Sequence, residues 1–141
     1  MNPPPAFSFQ QAGDDVVCLG QIRPEDVAAL AAQGVRTIVC NRPDEEAGAV
    51  PSEAIEAAAR ALGLSFVYQP VQFGRLTPAD GAAFARTLDR LPGAVAAYCR
   101  TGRRSAALWV FARAPRLGVE AALGASRAAG CDLEELRPRL G

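Results

Sequence analysis

The stretch Ala94-Val95-Ala96-Ala97-Tyr98-Cys99-Arg100-Thr101-Gly102-Arg103-Arg104-Ser105 decides how the rest of this 141-residue chain is read. Residues 94–98 are apolar and read as a short buried strand. A thiol, three arginines and a glycine follow within Cys99–Arg104, and Ser105 to Ala112 is apolar enough for a central helix. A strand passing through a basic, glycine-containing loop into a helix aims unpaired N-terminal amides at whatever anion lies beyond the sheet.

On either side of this stretch the chain alternates strands and helices. Val16–Ile22 reads as a strand, and Arg23-Pro24-Glu25-Asp26 opens a helix with proline and acids in its first turn, stopping at Gly34. Val35–Cys40 is β-branched and apolar, the composition of a strand covered on both faces. The polar cluster Asn41-Arg42-Pro43-Asp44-Glu45-Glu46 follows it. Pro51-Ser52-Glu53 opens a second helix ending near Gly63, and Leu64–Tyr68 is a third strand. Thr77-Pro78-Ala79-Asp80 combines an N-cap, an N1 proline and an acidic N3, starting a third helix that Pro92-Gly93 breaks. Two short helices are expected between Gly118 and Leu140. The pattern predicts an α/β fold, a mostly parallel central sheet with helices on both faces. Residues 1–13, opening Asn2-Pro3-Pro4-Pro5, read as a flexible arm, and 14–141 as a single domain.

Composition narrows the chemistry. Half of the residues are hydrophobic and the formal net charge is zero, so the global field gives no reason to expect nucleic acid or a membrane surface. All 15 basic residues are arginine, which resembles a nucleotide bias, so each arginine needs its own justification. Histidine is absent, which removes Cys-His and Ser-His pairs and disfavours a catalytic zinc site. No metal or cofactor is expected. The 4 cysteines, Cys18, Cys40, Cys99 and Cys131, have no CxxC spacing, which suggests free thiols in a cytoplasmic protein.

Cys99 is therefore the candidate nucleophile. The helix N-terminus and Arg100, Arg103 and Arg104 favour an anionic sulfur, and Gly102 permits a turn that points successive N–H groups inward. Thr101 and Ser105 complete the candidate anion site, with Arg104 able to grip an oxyanion by its planar fork. Asp44 is the candidate acid or orienting partner on the same sheet edge, with capping as its plainer role. Arg42 and Arg75 are candidate substrate-binding cations. Asp80 reads as a cap, and Cys40 as a buried structural thiol or, less simply, a resolving thiol for Cys99.

Several ordered blocks resemble the bacterial beta-lactamase-hydrolase-like, phosphatase-like domains: Gly20-Gln21-Ile22 with Pro24-Glu25-Asp26, Asn41-Arg42-Pro43-Asp44-Glu45, Pro70-Val71, Thr77-Pro78 and Cys99–Ser105. The resemblance spans about residues 16–114. It implies a protein-tyrosine-phosphatase-like fold in which the loop cysteine is the nucleophile and the arginine holds the oxyanion.

The loop departs from tyrosine and dual-specificity phosphatases, which place five residues between cysteine and arginine. Cys99 and Arg104 enclose 4, with Ser105 at the phosphatase arginine's position, as in rhodanese-type sulfurtransferase loops. Pro70-Val71 is followed by Gln72-Phe73-Gly74-Arg75 with no carboxylate, and Tyr98 precedes the nucleophile in place of histidine. Sulfur transfer expels a good leaving group and needs no acid. The leading expectation is thus a sulfurtransferase carrying a Cys99 persulfide from a small anionic sulfur donor to an acceptor thiol. The alternative is a phosphatase that attacks a phosphate ester through a cysteinyl-phosphate. A third reading is a non-catalytic anion- or persulfide-binding module serving a separate persulfide-oxidising enzyme.

Overall fold

The computed structural model describes residues 6–91 and 93–140. Residues 1–5 of the expected arm, and Pro92 of the expected helix break, lie outside them.

Five strands form one sheet in the order β1-β2-β5-β3-β4. They are β1 (Ala6–Phe9), β2 (Val16–Leu19), β3 (Val35–Cys40), β4 (Ser65–Tyr68) and β5 (Ala94–Tyr98). β2, β5, β3 and β4 run parallel, as the alternation of elements predicts. β1 departs from the expectation of a flexible arm. It pairs antiparallel with β2, Ala6 opposite Leu19 and Phe9 opposite Val16. The Phe9 ring is fully buried and stacks on Trp109 with centroids 4.3 Å apart, a tertiary contact that a four-residue segment without clear period does not announce.

The helices are α1 (Val27–Ala32), α2 (Ser52–Ala61), α3 (Pro78–Arg90), α4 (Arg103–Leu117), α5 (Val119–Ala128) and α6 (Arg137–Leu140). β2 ends three residues earlier than the sequence suggests, because the chain turns at Gly20 to pair with the loop after β5. Pro24–Asp26 forms a tight 3-10 turn ahead of α1. The capping box of α3 is realised, with the Thr77 and Asp80 side chains each bonded to the other's backbone N–H.

Alternation along the strands divides the apolar residues between two faces. Leu19, Ile38, Ala96 and Tyr98 pack with α1 and α2. Val16, Cys18, Val39, Val95 and Ala97 pack with α3, α4 and α5. Residues 105–114 of α4 are all buried, which explains why that helix lacks a polar face. α3 lies so close to α4 that a Cβ at Gly81 would stand 2.5 Å from the backbone of Phe111. Among the described residues no helix is long and apolar enough to cross a membrane.

The register brings Leu19 opposite Tyr98, Tyr98 opposite Cys40, and Cys40 opposite Tyr68. Four parallel strands thus end on one line, and the segments beginning at Gly20, Cys99, Asn41 and Gln69 leave the sheet side by side. β5, last of the five in sequence, lies between β2 and β3, so its loop emerges at the sheet's topological switch point.

Candidate active site

The loop after β5 is held first by its backbone. The Cys99 N–H donates to Leu19 O at 3.1 Å, and Gln21 N–H donates to Arg100 O at 3.1 Å. Gly102 takes φ +89° before α4 begins, a left-handed conformation that glycine adopts without steric cost. This turn points the Gly102 N–H at Cys99 Sγ, 3.1 Å away. The sulfur accepts a backbone hydrogen bond and stands at the N-terminus of a 15-residue helix.

Cys99 forms part of a cavity of about 220 Å³ with Phe73, Arg100, Thr101, Arg103 and Arg104. Among the described residues no carboxylate lines it. Cys99 itself is only 1% exposed, so approach to sulfur is through this opening. Arg100 and Thr101 are exposed at the rim, while Gly102 is buried beneath.

Arg104 is fixed from outside the loop. Its Nη1 donates to Glu46 Oε2 at 2.6 Å and to Val71 O at 3.0 Å, and its Nη2 donates to Glu46 Oε1 at 3.2 Å. Glu46 also accepts from Arg42 Nε at 3.0 Å. These arginines hold its carboxyl below the ordinary glutamate range, the hydrogen bond from Arg104 contributing most. Arg103 turns the other way. It donates to Asp132 O at 3.0 Å, pairs with Glu135, and lies over the Phe73 ring at 5.3 Å.

Several residues proposed from sequence have other settings. Arg42 is 6% exposed and donates to Glu46, Gln21 Oε1 and Ala47 O, so it braces the polar loop instead of facing a substrate. Asp44 accepts from both Ser52 N–H and Ser52 Oγ at 2.8 Å, so its carboxylate is spent on tying the polar loop to the first residue of α2. Neither carboxylate oxygen lines the Cys99 cavity. Ser105 is fully buried, its Oγ donating to Asn41 Oδ1 at 2.7 Å, so the position that the phosphatase spacing assigns to arginine belongs to the core. Arg75 lines a separate depression with Pro43, Glu45, Tyr68, Pro70, Val71, Gln72 and Asp80.

Asn41 is the joint of the site. Its N–H donates to Tyr98 O at 2.8 Å, its Nδ2 to Gln69 O at 2.9 Å, and its carbonyl accepts from Val71 N–H at 3.0 Å. Tyr98 is buried on the face of α1 and α2, where desolvation pushes its phenol far above the ordinary value. Burial likewise pushes the Cys18, Cys40 and Cys131 thiols up, which leaves them weak nucleophiles.

Glu46, Gln21, Phe73 and Glu135 were not singled out by sequence reasoning. Glu46 had a weak signal, being four residues after Arg42 in a polar run; Glu135 had none, since its contact spans 32 positions.

The family model for the beta-lactamase hydrolase-like protein, phosphatase-like domain matches residues 8–116. The chain belongs to that family. It is 35% identical over 96 residues to the beta-lactamase hydrolase-like protein of Agrobacterium fabrum (strain C58), covering 67% of this chain and 22% of that protein. It is 34% identical over 93 residues to the protein of the same name from Xylella fastidiosa (strain Temecula1), again covering 22% of the relative. The chain thus spans about a fifth of the length of these curated relatives. Among solved structures, it is similar to a candidate phosphatase from Neisseria meningitidis Z2491, with a TM-score of 0.77, 34% identity, and coverage of 89% of this chain and 90% of that one. P. aeruginosa TpbA, solved in complex with phosphotyrosine, shares the fold at a TM-score of 0.61 and 19% identity, over 89% and 85% of the two chains. This protein is a phosphatase-like domain, and its relatives favour the phosphatase alternative over the sulfur transfer that loop length ranked first.

Proposed function

We propose that this phosphatase-like domain hydrolyses phosphate monoesters through Cys99. The observation that carries the reading is the Gly102 amide aimed at Cys99 Sγ on the floor of a cavity lined by all three loop arginines. A sulfur so placed attacks phosphorus in line. The S–P bond forms as the ester P–O bond breaks, and the leaving oxygen carries away the electron pair. The free amides at the start of α4 hold the phosphoryl oxygens, together with the Arg100 guanidinium and the Arg104 donors not engaged by Glu46 and Val71. Water then cleaves the S–P bond and returns the thiolate and inorganic phosphate.

Among the described residues the cavity lining offers no carboxylic acid to protonate the leaving oxygen. Esters whose alcohol is already acidic, aryl phosphates above all, are therefore the expected substrates, and alkyl phosphates the poor ones.

Sulfur transfer remains the second reading, favoured by the shorter Cys99–Arg104 spacing and by the same acid-free lining. Parallel assays separate the two. Wild type hydrolysing p-nitrophenyl phosphate, with Cys99→Ser reduced to background, supports the phosphatase. A Cys99-dependent gain of about 32 Da after thiosulfate, with thiocyanate turnover and no phosphate release, overturns it. Anion binding without either turnover points to a binding module.

A further inference from the structure

Arg103 occupies a different electrical position from its two neighbours in the loop. Arg104 is matched by Glu46, and exposed Arg100 makes no ion pair among the described residues. Arg103 is matched from a distant part of the chain. The segment between α5 and α6 supplies the Asp132 carbonyl and the Glu135 carboxylate, and Phe73 supplies an aromatic face. The Asp132 side chain stabilises this segment by accepting the Glu134 N–H at 3.0 Å, and Leu133 and Leu136 anchor it in the core. Glu135 is thus an exposed anion on a built support, paired with an arginine that lines the Cys99 cavity. It also lies beyond residues 8–116, the part of the chain matched by the family model.

We propose that Glu135 is a specificity-determining residue, which through Arg103 disfavours substrates carrying a second negative charge next to the reacting phosphate. The inference rests on the phosphatase reading for its substrate class, but its physical content is anion selectivity. Arg103 and Phe73 line the same side of the cavity, so a group attached to the phosphate that leaves the cavity there meets both. An additional anion arriving there competes with Glu135 for Arg103 and is repelled by the displaced carboxylate. A neutral aromatic group meets Phe73 and leaves the Arg103–Glu135 pair intact. The selection acts in binding, and it weakens as salt screens the exposed charges.

The test compares calorimetric binding of inorganic phosphate and of pyrophosphate to wild type, Glu135→Gln, Arg103→Gln and the double variant. Glu135→Gln should tighten pyrophosphate about three- to fivefold relative to phosphate, a range typical of an exposed ion-pair energy. The change should shrink when Arg103 is already glutamine, because the competition for its guanidinium is then gone. Glu135→Asp should restore part of the wild-type ratio. An unchanged pyrophosphate-to-phosphate ratio in Glu135→Gln overturns the proposal, as does an equal change in the Arg103→Gln background. Parallel p-nitrophenyl phosphate assays on the wild type report on the phosphatase reading separately, since binding selectivity is measurable whether or not turnover occurs.

Discussion

Ser105 Oγ donates a 2.7 Å hydrogen bond to Asn41 Oδ1, and both residues are completely shielded from solvent. The bond joins the first turn of α4 to the segment after β3, and Asn41 extends it to Tyr98, Gln69 and Val71. The reacting loop is therefore tied to the loop that lies opposite it. Replacing Asn41 with alanine leaves the Ser105 hydroxyl and the Gln69 carbonyl without these partners and should cost about 2–3 kcal/mol of stability, read from urea unfolding. Ser105→Arg, which restores the five-residue spacing on paper, should fail to gain phosphatase activity and should unfold the domain, because that side chain enters the core.

Gly102→Ala should impair the reacting loop locally. An L-residue at φ +89° is strained by about 1–2 kcal/mol. The new Cβ would also sit 3.2 Å from Cys18 O and 3.3 Å from the Leu19 carbonyl carbon. Relief of either moves the N–H away from Cys99 Sγ. The expected result is a fall in kcat of at least about tenfold, roughly 1.4 kcal/mol, with the fold kept by circular dichroism. Undiminished kcat would show that the amide-to-sulfur bond is not used.

Glu46→Gln should reveal the acid limit of the loop brace. A glutamate whose folded value lies below the ordinary 4.5 contributes stability that is present above that value and is lost as pH falls through the folded one. The variant should therefore melt below wild type at pH 7, and the gap should start to narrow as pH falls below 4.5 and close once it has passed the lowered folded value. A gap independent of pH would place the effect in packing instead of charge.

Asp14→Asn tests an ion pair far from the cavity. Arg113 Nη2 meets Asp14 Oδ1 at 2.7 Å, with the two side chains 4% and 8% exposed, and Asp14 Oδ2 accepts from Trp109 Nε1 at 2.9 Å. Removing the carboxylate charge leaves the buried guanidinium only Asp89, 3.0 Å away and 61% exposed, as counter-charge among the described residues, at a cost of about 2–3 kcal/mol in denaturant unfolding, below that of a fully unpaired buried charge. Activity per folded molecule should not change, since neither residue reaches the loop after β5.

The legible parts of the molecule were those written locally. β3 and β5 matched residue for residue, because continuous apolar runs bounded by polar loops leave little choice of register. Thr77-Pro78-Ala79-Asp80 also spelled its cap within four residues. Cys99 stood out because strand, thiol, glycine and arginines are contiguous. The assignments for Asp44, Arg42 and Ser105 depended instead on partners 8, 21 and 64 positions away, and sequence spacing carries no orientation. β1 was missed for the same reason: its warrant is the Phe9–Trp109 stack and not its own period.

That first strand has a practical consequence for anyone handling the protein. Phe7 of β1 lies beneath the reacting loop, where a Cβ at Gly102 would meet its ring at 3.3 Å, and it also approaches Gly130. A purification tag joined just ahead of Ala6 therefore pulls on a ring that props the nucleophile's loop, and fusion next to Leu140 disturbs the segment holding Arg103. Fluorophores belong at Leu62, which is 51% exposed at the end of α2, while Gly63 beside it, at φ +78°, is kept as glycine.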